Sequence, residues 1–284
     1  MDYIDLHTHT TFSDGTYTPK ELIEYAAQKG LKAIAVTDHD TVESYESSAF
    51  WAKHYNIELI PGVEIEADYE GIEVHILGLF IDPKNKALLE LLDNLQQIRK
   101  DRDNRIIEIL NKDGINVKIE DIQALSGVQA TNRPLFAKYL VMNGYYDSIS
   151  DAMINYLGHG KRAYVEKSAL PKPSIIFDII KRAGGISILA HPIQYGLDYF
   201  REEDMIKELK ACGLVGLEAI YSENDPEDTR RYLEMAKRFS LIVSGGSDFH
   251  GSVKPGLDLG CGRGDFGVCY EVLDGLRGYL QTRF

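Results

Sequence analysis

Cysteine is scarce in this 284-residue chain, and the three present, Cys212, Cys261 and Cys269, form an odd set with no CxxC spacing. That excludes a disulfide framework and a zinc-thiolate site, and it fits a reducing compartment. Long apolar runs are missing too: AIAV at 33–36 and ISILA at 186–190 fall far short of the ~20 residues needed to span a bilayer. The amino terminus, MDYIDLHTHT, carries acidic residues and histidines where an export signal has a basic and then an apolar stretch. A cytoplasmic location with no membrane partner is therefore expected. Positive charge is also lacking. The formal net charge of −13 argues against long-range attraction to duplex nucleic acid, so any phosphate ligand has to be captured locally.

What is present is enough apolar content, 44%, to bury a full core in one large domain or in one domain with an insertion. Short β-rich runs alternate with amphipathic helical patterns from the start, as in βαβ units around a parallel sheet. DYIDLH reads as a first strand. A helix follows from Pro19, with Thr18 as N-cap, Glu21 as capping-box partner and Gly30 at its end. AIAVTDH is the second strand, and after a helix over about 42–55 come ELIPGVEIEAD and EVHILGLF, joined through Tyr69, Glu70 and Gly71. Between 87 and 165 the pattern becomes helical only, and basic and acidic residues balance there, so the acidic excess belongs to the rest of the chain. The alternation resumes from 174 and runs through GISILAHP, GLEAI and LIVSGGSDFH. The reading is an α/β chain, a distorted barrel over 1–86 and 166–284 with an all-helical insertion at 87–165.

Five of the eight histidines fall at or just beyond the carboxyl end of an expected strand: His7, His9, His39, His191 and His250. A sixth, His75, lies inside EVHIL. Strand carboxyl ends of α/β barrels converge on one mouth, so these imidazoles are expected to share a small volume. Residues two apart on a strand face the same side, which lets His7 and His9, or Asp248 and His250, address one ion. Asp14, Glu64 and Asp248 occupy equivalent strand-end positions and supply carboxylates for a divalent metal. Nine candidate ligands are too many for a single ion, and two or three are expected.

The segments DLHTHTTFSDGTYTP, TDHD at 37–40, PGVEIEAD, VH at 74–75, LAHP at 189–192 and SGGSDFHG at 244–251 together resemble the PHP (polymerase and histidinol phosphatase) superfamily of metal-dependent phosphoesterases. The resemblance spans nearly the whole chain and implies a distorted (β/α)7 barrel. It implies one metal on His7, His9, Glu64 and Asp248, a second on Asp14, His39 and His250, and a third on Glu64, His75 and His191, with Glu64 bridging. A carboxylate at Asp14, where some relatives have histidine, tilts the metal from zinc towards manganese or iron. Asp5 and Asp38 are expected to orient histidines from behind. Asp40 and His250 both stand as candidates for the general acid.

The TNRPLFAKYL and GHGKRAYV segments of the insertion are similar to the subgroup that removes the 3'-phosphate from nucleoside 3',5'-bisphosphates or degrades short RNA from its 5' end. That implies a small phosphorylated substrate, a nucleotide or short oligonucleotide, and no obligate protein partner. Arg133 and Lys161 are the candidate substrate contacts. Where many of that subgroup have a histidine after the strand-end Tyr-Ser, this chain has Asn224 and Asp225. The alternatives are a small-molecule phosphomonoesterase such as a histidinol phosphatase, a metal-dependent amidohydrolase, and a non-catalytic binding module.

Overall fold

The computed structural model describes residues 2–125, 131–167, 169–264 and 266–282. Residues 126–130, which fall in the expected insertion, lie outside the described residues. The chain begins with β1 (Tyr3–Asp5), α1 (Pro19–Gln28), β2 (Ala33–Val36) and α2 (Tyr45–Tyr55). α1 starts where its cap residues place it: the Thr18 side chain accepts the Glu21 amide, and the Glu21 carboxylate accepts the Thr18 amide in return. β2 is buried at all four positions, as its unbroken apolar sequence requires of a strand covered on both faces.

β3 (Glu58–Tyr69) and β4 (Ile72–Leu79) form a hairpin closed by Glu70 and Gly71, both at positive φ, the geometry that matches strand twist in a two-residue turn. Next come the helices α3 (Lys86–Lys112), α4 (Ile119–Gln123), α5 (Arg133–Met142) and α6 (Ile149–Ala152), the last continued by one π-helical turn over Met153–Leu157. α7 (Pro173–Arg182), β5 (Ile186–Leu189), α8 (Tyr199–Ala211), β6 (Gly216–Tyr221), α9 (Pro226–Arg238) and β7 (Ile242–Gly246) follow. β8 (Val268–Cys269) and α10 (Tyr270–Thr282) end the chain.

The sheet order is β7-β6-β5-β4-β3-β2-β1-β8. Seven strands make a ring that closes through the extensions of β1 and β7: Leu6 N donates to Gly245 O at 3.3 Å, and Asp248 N to His7 O at 2.8 Å. The eighth, β8, pairs antiparallel with β1 and was not anticipated, because two residues carry no period to read. The distortion has a specific source. β4 runs antiparallel to both β3 and β5, while β1-β2-β3 and β5-β6-β7 pair in parallel. The barrel mouth therefore lies at the beginning of β4 and at the end of the parallel strands.

Apolar side chains of the ring pack in two clusters, one around Ile65, Ile76 and Leu217 and one around Ile4, Leu77 and Ile188. The helices between β4 and α7 have a cluster of their own that includes Ile106, Leu110, Phe136, Leu140 and Leu157. α3 serves both: Leu88, Leu91, Leu92 and Leu95 belong to the barrel cluster, and Ile106 and Leu110 to the helical one. The barrel core thus runs past residue 86 to Leu95. Among the described residues, no helix is long and apolar enough to cross a membrane.

Candidate metal centre

The end of β1 leads into His7, Thr8 and His9, all with no solvent exposure. β7 approaches this segment so closely that only glycine fits at 246, where a Cβ would stand 2.3 Å from the His7 Cβ and 2.5 Å from its backbone nitrogen. Gly246→Ala is expected to push β7 away from β1, costing roughly 1–3 kcal/mol of stability and misplacing His7. Thermal denaturation combined with elemental analysis checks both effects.

Six histidines and three carboxylates from the ring converge here. Glu64, buried near the middle of β3, is the hub. Its Oε2 lies 3.1 Å from His7 Nε2, 3.2 Å from His9 Nε2 and 3.3 Å from His39 Nδ1. Its Oε1 lies 2.9 Å from both His75 Nδ1 and His191 Nε2. Asp248 Oδ1 stands 3.3 Å from His9 Nε2 and 3.6 Å from His7 Nε2. Asp14 Oδ1 stands 3.0 Å from His250 Nε2, 3.7 Å from His9 Nδ1 and 3.9 Å from His39 Nε2. All nine residues named from the sequence thus meet at one mouth. His75 joins them from an early position in β4 because that strand is reversed, so its amino-terminal end faces the mouth.

The Glu64 contacts of His7, His75 and His191 have hydrogen-bond geometry, but other ring and carboxylate atoms of the cluster do not. His9 Nε2, Asp14 Oδ1, His39 Nδ1 and His191 Nδ1 are buried and satisfy no hydrogen-bond geometry. Orphaned polar atoms of that kind cost free energy unless something else fills the space. Two ligands of one ion, each about 2.1 Å from it, sit roughly 3.0–3.5 Å apart, which is the spacing seen around Glu64 and Asp248. Ligand atoms close enough to hold an ion occur in overlapping groups: His9, Asp14, His39 and His250; His7, His191 and Asp248; His7, His9 and Glu64; His39, Glu64 and His75. The donor set fits divalent cations, with imidazole and carboxylate mixed and no thiolate.

The electrostatics agree. Burial opposes charge on Asp14, Glu64 and Asp248, yet the surrounding imidazoles, with Lys254 beside Asp248, hold all three well below the usual carboxylate range. Burial likewise lowers His7 and His9, but the carboxylates prevail, leaving His7 well above its ordinary value and His9 at about 9. At His39 burial wins and the pKa falls to about 3. The pocket is built around positive charge. Backbone strain collects here as well: Asp40, His191 and Asp248, at three strand ends, have φ of 52°, 26° and 57°. Such conformations cost of order 1–3 kcal/mol each and persist where the surroundings over-determine them.

Several residues behind the ligands escaped the sequence reading. Glu218, fully buried on β6, places Oε1 2.9 Å from His7 Nδ1 and accepts the His191 backbone amide on Oε2 at 2.7 Å. It fixes which nitrogen His7 turns to the centre. The only available sign was one carboxylate inside the apolar run GLEAI. Lys254 and Tyr221 both bind Asp248 Oδ2, the hydroxyl at 3.0 Å, which leaves Oδ1 for the centre.

Asp5 and Asp38 reach the histidines without touching an imidazole directly: Asp5 Oδ1 accepts the His7 backbone amide at 3.3 Å, and Asp38 binds Ser13 Oγ, which lies 3.4 Å from His9 Nδ1. Asp5 accepts the Ser247 hydroxyl and amide, at 2.5 and 2.9 Å, and the Gly260 amide at 2.9 Å, locking β1 to the segments after β7. Its burial raises the carboxyl to about 6 against those hydrogen bonds. Asp38 accepts Thr10 N and Ser13 Oγ, each at 2.7 Å, and so holds the loop that presents Asp14. Asp40 is bound to Arg99 Nη2 at 2.8 Å, with Glu66 on the same guanidinium at 2.7 Å. Burial and the neighbouring Glu66 raise the Asp40 carboxyl to about 6 against that guanidinium.

On the helical side, Asn132 Nδ2 donates to Asp14 Oδ2 at 3.2 Å and ties the start of α5 to the centre. Arg133 lies 4.5 Å over the Tyr164 ring and donates to Val165 O at 3.2 Å, with its buried Nε unpaired. Lys161 is exposed and its backbone closes a turn on Gly158, with no contact to the ligand cluster. Asn224 and Asp225 serve local structure: the Asn224 amide binds Ala219 O, and Asp225 caps α9.

Comparison with known proteins places this centre. The chain is 36% identical over 246 residues to a 5'-3' exoribonuclease of Haemophilus influenzae, covering 87% of this chain and 89% of that one. It is 31% identical over 261 residues to a 3',5'-nucleoside bisphosphate phosphatase of Chromobacterium violaceum, covering 92% and 91%. A solved structure from Bifidobacterium adolescentis, of a protein thought to be a metal-dependent phosphoesterase, superposes with a TM-score of 0.83 at 31% identity over 97% of this chain and 95% of that one. The family model for the PHP domain matches residues 5–184, a span that holds six of the nine clustered residues, from His7 to His75. By that match and by these relatives over nearly its full length, the chain belongs to the PHP domain family.

Proposed function

We propose that this protein is a metal-dependent phosphoester hydrolase acting on nucleotides, namely nucleoside 3',5'-bisphosphates or the 5' ends of short RNA. The observation that carries the chemistry is the nine-residue cluster around Glu64, in which His9 Nε2, Asp14 Oδ1 and His39 Nδ1 are buried with no hydrogen-bond partner among the described residues. The nucleotide assignment draws on the relatives, named as an exoribonuclease and a nucleoside bisphosphate phosphatase.

His7, His9, Glu64 and Asp248 would hold one divalent ion, Asp14, His39 and His250 a second, and Glu64, His75 and His191 a third, of manganese, iron or zinc. The two oxygens of Glu64 facing different histidines support its role as a bridge. The overlap of the groups, with His9 also beside Asp14, is consistent with ions that share neighbours. Bound there, divalent ions supply Lewis-acid charge for the phosphoryl oxygens and a water made nucleophilic at neutral pH. The chain's own residues do the rest. Glu218 orients His7, Lys254 and Tyr221 orient Asp248, and Asn132 and Asp38 steady the Asp14 loop. Near-complete burial of His7, His9 and Glu64 keeps bulk water from screening the cluster.

A phosphate-release screen with added manganese tests the reading. Adenosine 3',5'-bisphosphate or a short oligoribonucleotide is expected to exceed a generic phosphomonoester by roughly a hundredfold or more in kcat/KM, as several phosphate and base contacts of 1–3 kcal/mol imply. Equal rates would reassign the protein to small phosphomonoesters.

A further inference from the structure

A cavity of about 400 Å³ opens directly beside Asp14 and His39 and is roofed by one face of α3. That volume lies in the range of small-molecule sites. Its lining is mostly polar, with the carboxylates of Asp14, Glu43 and Asp103, and includes two apolar side chains. Phe12, two residues before Asp14, is 41% exposed into it, and Ile119 faces it from α4. Asn104 and Lys100 on α3 are exposed and have no hydrogen bond or ion pair among the described residues. The neighbouring cation, Arg99, is already neutralised by Asp40 and Glu66, so Lys100 is the cation of this lining that remains free to meet an anion. A free ammonium and a solvent-open aromatic ring line the same cavity, next to a cluster of metal-ligating side chains, in a chain of net charge −13.

We propose that this cavity holds the nucleoside part of the substrate, the base lying against Phe12 and the phosphate that is not hydrolysed reaching Lys100. The inference rests on the nucleotide reading above and adds to it the residues that set specificity. Aromatic rings accept any base by stacking, and an unpaired ammonium recognises a phosphate as a point charge. The arrangement favours substrates with two phosphates disposed on either side of a sugar, one at the metal ligands and one under α3.

The test compares kcat/KM for adenosine 3',5'-bisphosphate with that for adenosine 3'-monophosphate, in metal-loaded full-length protein and its variants. Wild type is expected to prefer the bisphosphate. Lys100→Ala should raise KM for the bisphosphate by roughly ten- to a hundredfold and collapse that preference, and Lys100→Arg should restore most of it. Phe12→Ala should raise KM for both nucleotides by roughly five- to a hundredfold relative to glycerol phosphate. Metal content measured on each variant shows that the ligand cluster is intact. If wild type shows no preference for nucleotides over glycerol phosphate, the nucleotide reading falls and this inference with it. If wild type prefers the bisphosphate and Lys100→Ala keeps that preference, this inference alone is overturned.

Discussion

Glu64→Gln is expected to abolish activity, lowering kcat/KM by at least about a thousandfold, the order seen when one electrostatic support of a charged transition state is removed. The same variant should lose at least one equivalent of bound metal. The reason is geometric. Five imidazoles stand within 3.3 Å of the two Glu64 oxygens, three facing one oxygen and two the other. An amide offers one oxygen and one NH2, so whichever way it turns, one set of histidines faces a donor that cannot ligate. The side chain is fully buried, so no water takes up the lost contact. Kinetics together with elemental analysis decide it, and full metal content with near-normal turnover would remove Glu64 from its bridging place.

The second large effect is expected on metal removal. Prolonged chelation should end turnover and lower the melting midpoint by about 10 °C or more, with both restored by manganese. An ion present at a thousand times its dissociation constant contributes about 4 kcal/mol to folding, and roughly 2–4 °C per kcal/mol is typical of chains approaching this size. Removing it leaves Glu64, Glu218 and Asp248 buried around one volume with Asp14 half-buried beside them, and Lys254 in contact with Asp248. Elemental analysis before chelation should give two or three equivalents. One or none in a preparation never exposed to chelator, or a midpoint unmoved by stripping, would contradict a multi-ion centre.

Much of this centre was legible before any coordinates because its ligands obey a rule that sequence displays: strand, then histidine or acid. His7, His9, His39, His191 and His250 follow runs whose period marks them as strands, and barrel geometry makes them neighbours. His75 needed the reversal of β4 to explain it, and EVHIL carries no mark of strand direction. Glu218 was unreadable for another reason. Its role depends on facing His7 across the ring, a relation between residues 211 positions apart. Asp5 and Asp38 were placed in the right region, but spacing reports proximity to a histidine and not which atom a carboxylate accepts: Asp5 takes the His7 amide, and Asp38 reaches His9 through Ser13. β8 and the cavity under α3 exist only through tertiary closure.

α3 connects these observations. Its 27 residues reach about 40 Å, and its first three turns are sealed into the barrel while its last two anchor the neighbouring helices. Arg99, at its middle, is clamped to β3 and to the loop after β2. The helix is therefore a rafter shared by two rooms, and the roof over the cavity cannot swing about a hinge at residue 87. Trimming the chain to a bare barrel by joining 86 to 166 would strip out Leu88, Leu91, Leu92 and Leu95, each worth about 1.5–3 kcal/mol of burial. A minimal catalytic version of this protein has to keep the rafter at least to Arg99, and with it one wall of the room where the substrate is proposed to sit.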